Sequence, residues 1–163
     1  MKKSFLIILS FLFLSAALEA FAKTVTATFS VTATIAASAC TVTTDNMTFG
    51  TYDPGNTAPL RYANSIGVNC NGYGTIAIYP NNGDYSSYAS GTTRAMSNGA
   101  GQYLSYDIYT DSTYSTVWNS STPATFNILP YTTYYAYGYG QIPAGELEPS
   151  ANYSDTVTAV VTF

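Results

Sequence analysis

The chain contains no histidine. That absence removes the Ser-His-Asp and Cys-His nucleophilic arrangements, the commonest general acid and base at neutral pH, and the usual zinc ligand. Charge is scarce as well: 9% of the residues are Asp, Glu, Lys or Arg, with 5 basic against 9 acidic. A surface so poor in cations cannot neutralise phosphates, which excludes nucleic acid as a partner. There are only 2 cysteines and 1 tryptophan, and no apolar run of the ~20 residues that cross a bilayer. What abounds is aromatic and hydroxylated, with 16 Tyr and 8 Phe among many Thr, Ser and Asn. That profile points to an all-β extracellular domain, and 163 residues give room for one of ordinary size.

Lys2 and Lys3, the apolar run from Phe5 to Leu18, and Ala20-Phe21-Ala22 have the three parts of an export signal. Residues 1–22 are therefore expected to be a signal peptide cleaved before Lys23. A retained anchor fits less well, because the 14-residue run is broken by Ser10 and Ser15 and closed by Glu19. No cysteine near the cleavage site offers a lipid attachment point. Cleavage leaves three basic residues, Lys23, Arg61 and Arg94, against eight acidic ones, a net of −5. Cys40 and Cys70 form an even pair in an oxidising compartment, where a disulfide is expected to stabilise the fold by roughly 3–4 kcal/mol. A redox-active pair would call for a C-x-x-C spacing that is missing. Two thiols without histidine make a poor metal site, and nothing calls for a cofactor.

Turn chemistry recurs at short intervals: Pro54-Gly55, Asn71-Gly72, Asn82-Gly83 and Asn98-Gly99. Between these turns the pattern predicts strands at 35–43, 47–52, 65–70, 75–79, 103–109, 134–141 and 153–163, as an antiparallel sandwich requires. No helix of ten residues and no repeat is expected after the signal.

The most informative segment runs from Lys23 to Ile35. Val25, Ala27, Phe29, Val31, Ala33 and Ile35 are apolar, while Thr24, Thr26, Thr28, Ser30, Thr32 and Thr34 are hydroxylated. Such unbroken period-two alternation gives a strand with one hydrophobic ribbon and one wettable face. Thirteen residues at ~3.3 Å each reach ~43 Å, against ~17–20 Å for ordinary strands, so the early half is expected to project beyond its own sheet. At the other end Val157, Ala159, Val161 and Phe163 share a face, and that strand's free edge is expected to be left uncovered. A spare amphipathic strand and an open edge together suit head-to-tail polymerisation. The alternative is an ordinary first strand of the chain's own sandwich.

The residues resemble the spore coat U domain family, which includes subunits of archaic (Csu-type) chaperone–usher pili. The resemblance spans nearly the whole exported chain. It rests on the alternating strand before Cys40, Phe49-Gly50-Thr51-Tyr52, Val68-Asn69-Cys70, Arg94-Ala95-Met96, and Leu104-Ser105-Tyr106 with Tyr109 and Asp111. Trp118, Gly140-Gln141-Ile142-Pro143-Ala144-Gly145 and Tyr153-Ser154-Asp155-Thr156-Val157 complete it. Two departures stand out: Gln141 where an arginine often precedes Ile-Pro, and Asn152 where a glycine is common. The resemblance implies an incomplete immunoglobulin-like antiparallel sandwich over 35–163 whose last strand comes from another subunit. Residues 23–34 would be the donor strand, with Val25, Ala27, Phe29, Val31 and Ala33 filling a neighbour's pockets. Val157, Ala159, Val161 and Phe163 would form the acceptor edge. The implied partners are identical or related pilin subunits, a periplasmic chaperone and an outer-membrane usher. The implied location is the cell surface, reached through the periplasm, with a role in adhesion and biofilm formation.

Other readings differ in class. A secreted spore-coat-type surface protein would use the same fold without an ordered pilus, and a monomeric carbohydrate-binding module would use the tyrosines from Tyr131 to Tyr139 with Trp118 to stack sugars. Cross-strand packing explains strand tyrosines equally well. Asp107, Asp111, Asp155, Glu146 and Glu148 match no calcium loop or glycosidase spacing and read as scattered solvated carboxylates. Arg94 and Asp155 are expected to pair. The Asn-x-Ser/Thr triplets at Asn46, Asn119 and Asn152 carry no weight if the source is bacterial, as the resemblance implies. No enzymatic activity is expected.

Overall fold

Strands in the structure are placed by inward isoleucines and by glycines that let other side chains approach. The computed structural model describes residues 25–34 and 38–163, and the chain divides into two units, Met1–Ile35 and Ala36–Phe163. The signal reading of 1–22, Lys23 and Thr24, and residues 35–37 of the first expected body strand lie outside the described residues. In the first unit, residues 25–34 form no strand, and all of their side chains are exposed.

Among the described residues the second unit holds eight strands: β1 (Cys40–Thr44), β2 (Leu60–Cys70), β3 (Gly74–Pro80), β4 (Arg94–Ser97), β5 (Tyr103–Tyr109), β6 (Ala124–Ile128), β7 (Thr133–Ile142) and β8 (Ala159–Thr162). One sheet has the order β1-β2-β7-β5-β4 and the other β6-β3-β8, with every pairing antiparallel. Among the described residues there is no α-helix, only a single 3-10 turn at Ser86–Tyr88. This is an immunoglobulin-like all-β sandwich, as the sequence predicts.

In β3 the inward Ile76 and Ile78 are fully buried. In β7, Ala136, Gly138, Gly140 and Ile142 face in while Tyr135 and Tyr137 face out. A Cβ on Gly140 would lie 2.3 Å from Met47 Sδ and 2.7 Å from Phe49 Cζ, so its lack of a side chain makes room for those two. The core joins residues of both sheets, among them Ile66 and Val68 of β2, Leu104, Tyr106 and Ile108 of β5, and Ile128 of β6. Burial of each such aliphatic side chain contributes about 1.5–3 kcal/mol.

Several expectations are corrected. Trp118 is 1% exposed; its indole donates to Ile78 O at 2.9 Å and its backbone N–H to Ile108 O at 2.7 Å, so it ties the two sheets together instead of presenting a surface to sugars. Arg94 does not pair with Asp155. It lies 3.9 Å from Asp107 and donates to Asn81 O, Pro80 O and Trp118 O, filling the end of the sandwich with satisfied carbonyls. Asp107 is consequently buried, not solvated. The 47–52 segment joins no ladder although Met47 and Phe49 pack on the core. The long C-terminal strand shrinks to β8 plus an isolated bridge between Ser154 and Ser97. The strands β4 and β6 had not been expected, and β2 begins five residues earlier than the 65–70 reading, at Leu60.

Candidate functional site

The smaller sheet covers only part of the larger one, and the uncovered part of the inner face opens into a groove of about 810 Å³. Its floor is made of Ile66, Leu104, Tyr106, Ile108, Trp118 and Ile142. One wall is the 45–52 segment with Met47, Phe49 and Tyr52, and the other is the 149–159 segment with Tyr153, Val157 and Ala159. Neither wall is a regular strand until Ala159 begins β8, and β8 is the edge of its sheet.

Both walls are fixed to the floor. The Tyr52 hydroxyl donates to Pro143 O at 2.9 Å and accepts from the Glu146 N–H at 2.9 Å, tying the first wall to the exit of β7. The Phe49 ring meets Tyr106 edge to face, 6.1 Å between centroids. Tyr106 in turn donates its hydroxyl to Asp155 at 2.7 Å, which holds the second wall. Asp155 also accepts from the Asp84 N–H at 2.9 Å. Ser154 and Ser97 exchange two backbone hydrogen bonds, and Asn81 holds Thr158 through both its backbone N–H and its side-chain oxygen. Burial, and then the bond to Asp155, push the Tyr106 phenol far above its ordinary value. Burial pulls Arg94 down, opposed by Tyr106, Asp107 and Asp155. Asp111, an exposed carboxylate, is held well below its usual range by the Thr113 hydroxyl and the N–H groups of Thr116 and Ser115.

Of the residues expected at an acceptor edge, Val157 and Ala159 line the groove. Val161 sits in β8 opposite Ile78, packed against the core. Phe163 is largely exposed and borders a second cavity of about 120 Å³ that also touches Cys40, Cys70, Tyr73 and Ile76. Cys40 and Cys70 are joined in a disulfide and face each other in the β1–β2 register. Val25, Ala27, Phe29, Val31 and Ala33 belong to the first unit, with Phe29 86% exposed. Met47, Phe49 and Tyr52 were missed as site residues. Their spacing was read, but as a strand of the chain's own sheet.

A long groove of this kind, with an apolar floor and walls that are mostly irregular and carry polar side chains such as Asn46, Thr48 and Asn152, suits an extended peptide better than a small polar ligand. Residues 25–160 match the Spore Coat Protein U domain. Protein U of Myxococcus xanthus is 35% identical over 132 residues, which cover 72% of this chain and 71% of that protein. Among solved structures, a chain of the CsuC–CsuE chaperone–tip adhesion subunit pre-assembly complex, from the archaic chaperone–usher Csu pili of Acinetobacter baumannii, is similar with a TM-score of 0.55 and 26% identity. That likeness covers 77% of the present chain but only 40% of the solved one. With the domain matched along 25–160 and 35% identity to Protein U, the chain belongs to the Spore Coat Protein U domain family.

Proposed function

We propose that the chain is a structural subunit of an archaic chaperone–usher surface pilus, polymerised by strand donation. The observation that carries this reading is the groove itself: an apolar floor between two walls, neither a regular strand until Ala159 begins the edge strand β8, in a chain that also carries an exposed, alternating segment. Residues 25–33 span about 30 Å when extended, comparable with the 153–163 edge along which a donated strand would lie. Val25, Ala27, Phe29, Val31 and Ala33 would enter the groove of a neighbouring copy, between the Met47 to Tyr52 wall and the edge formed by Val157, Ala159, Val161 and Phe163. Each Val or Phe buried there contributes roughly 1.5–3 kcal/mol, and backbone hydrogen bonds to the free edge of β8 add to it. A subunit with this groove open would aggregate, so a periplasmic chaperone must occupy it during export and an outer-membrane usher must exchange it for the next subunit. The exported fibre then serves adhesion and biofilm formation, and none of this calls for catalysis.

The likeness to Protein U favours a second reading, in which the same exchange builds a coat on the cell surface. Fibres that require the usher support the first reading; deposition without an usher supports the second. The central test is Phe29→Asp in the full chain. The variant should still be recovered with its chaperone, since its own groove is intact, yet give no SDS-resistant ladder. Ladders equal to those of the parent chain would sink the proposal.

A further inference from the structure

We infer that one pole of the sandwich, carrying Tyr73, Leu129 and Tyr131, is a contact surface for a second copy of this chain, resting on the strand-donation reading above. The three side chains are 78%, 57% and 79% exposed. They belong to the β2–β3 and β6–β7 loops, which meet at one end: the Tyr131 N–H donates to Cys70 O at 2.7 Å, and Gly74 pairs with Ile128.

This pole is built and rigid, not a loose loop. Tyr131 is held at φ 58°, a left-handed conformation that side chains rarely adopt. The Leu129 N–H donates to the Tyr134 hydroxyl at 3.0 Å. Asn71 bonds Ala39 through both its N–H and its side-chain oxygen, and the disulfide lies directly beneath. Large exposed apolar side chains on pinned backbone are what a contact surface requires.

The identity of the occupant follows from chain connectivity. Ala39, bonded to Asn71 at this pole, lies only a few residues after the donated segment. From Thr34 to Ser38 there are four residue steps, which reach at most about 14 Å. Whatever body receives residues 25–33 must therefore lie close to the donor's own Tyr73, Leu129 and Tyr131. Charge agrees with this placement. No Asp, Glu, Lys or Arg occurs in 62–83 or 112–145, whereas Asp45, Asp53, Asp84, Glu146, Glu148 and Asp155 all lie outside those stretches. In an acidic protein, the uncharged pole is the one another copy can approach without like-charge repulsion.

The test places a photo-crosslinking benzoylphenylalanine at position 73, 131 or 135 of the full chain, assembled into fibres with its chaperone and usher. Tyr135 is half exposed on the outer face of the large sheet and serves as the control. After irradiation, boiled samples from positions 73 and 131 should show covalent dimers and higher multimers, and those from 135 should show monomer. An intact SDS-resistant ladder before boiling, with no covalent product from 73 or 131, would overturn this inference and leave strand donation standing. Absence of that ladder from the parent chain would instead overturn strand donation, and this inference with it.

Discussion

Tyr106 shows how one hydroxyl can join a core to a groove wall. Its ring is buried against Phe49 and its hydroxyl donates to Asp155. Burial and that hydrogen bond raise its pKa well above the ordinary 10.0, so the fold holds the protonated phenol. A raised folded pKa gives stability that is complete below the unfolded value and declines as pH climbs past it. Stability should therefore fall above about pH 10, and Tyr106→Phe should flatten that decline while lowering stability at neutral pH by about 1 kcal/mol through the lost hydrogen bond. Guanidinium titrations followed by Trp118 fluorescence between pH 7 and pH 11 would read both effects; an unchanged alkaline limb would refute the assignment. Gln141 has a comparable local logic. It lies opposite Arg61 in the β2–β7 register and accepts from its Nε at 3.0 Å, while the Arg61 guanidinium stacks 3.9 Å above Tyr114. An arginine at 141 would face a like charge, which explains why glutamine suits this chain.

At the scale of elements, side-chain direction was legible and backbone pairing was not. Period-two alternation located β3, β5 and β7 because their inward residues are large and aliphatic or strictly alternate with tyrosine. It also made 47–52 a strand, whereas Met47 and Phe49 pack on the core from a segment that joins no ladder. Alternation records which face is buried; it carries no information on whether the backbone has a partner. The strands β4 and β6 escaped notice because four or five residues show too little of a period. The buried position of Trp118 was hidden for a different reason, since its placement depends on a carbonyl of β3 that is 40 residues away in sequence. Gly140 is the element-level consequence that sequence could not reveal. Gly140→Val would push Met47 and Phe49 from the inner face of β7, cost about 1–3 kcal/mol by overpacking, and displace the first wall of the groove. Such a variant should form shorter ladders than the parent although residues 25–33 are untouched, as gel analysis of unboiled fibres would show. Ladders and a melting temperature identical to the parent's would mean the wall has no such role.

For the whole molecule, the position of the disulfide matters more than its presence. In a fibre built by strand donation, tension enters each body just ahead of β1, which is an edge strand paired with β2 alone. Pulled from its end, an edge strand can peel away one hydrogen-bonded pair at a time. Cys40 is the first residue of β1 and Cys70 the last of β2, so the bond between them carries the load past β1 into a strand paired on both sides. With a sequence separation of 30, removing the link should lower the stability of the isolated body by roughly 3–4 kcal/mol on the chain-entropy estimate. The mechanical effect should be larger than that figure suggests, because peeling replaces cooperative rupture. The double variant Cys40→Ser with Cys70→Ser should still exchange strands, since neither residue lines the large groove. Its fibres, stretched in optical tweezers, should extend by unravelling of single bodies at lower force than parent fibres. Equal unravelling forces in the two would show that tension does not pass through β1, and that the chain is not linked to its neighbour through the segment preceding Ser38.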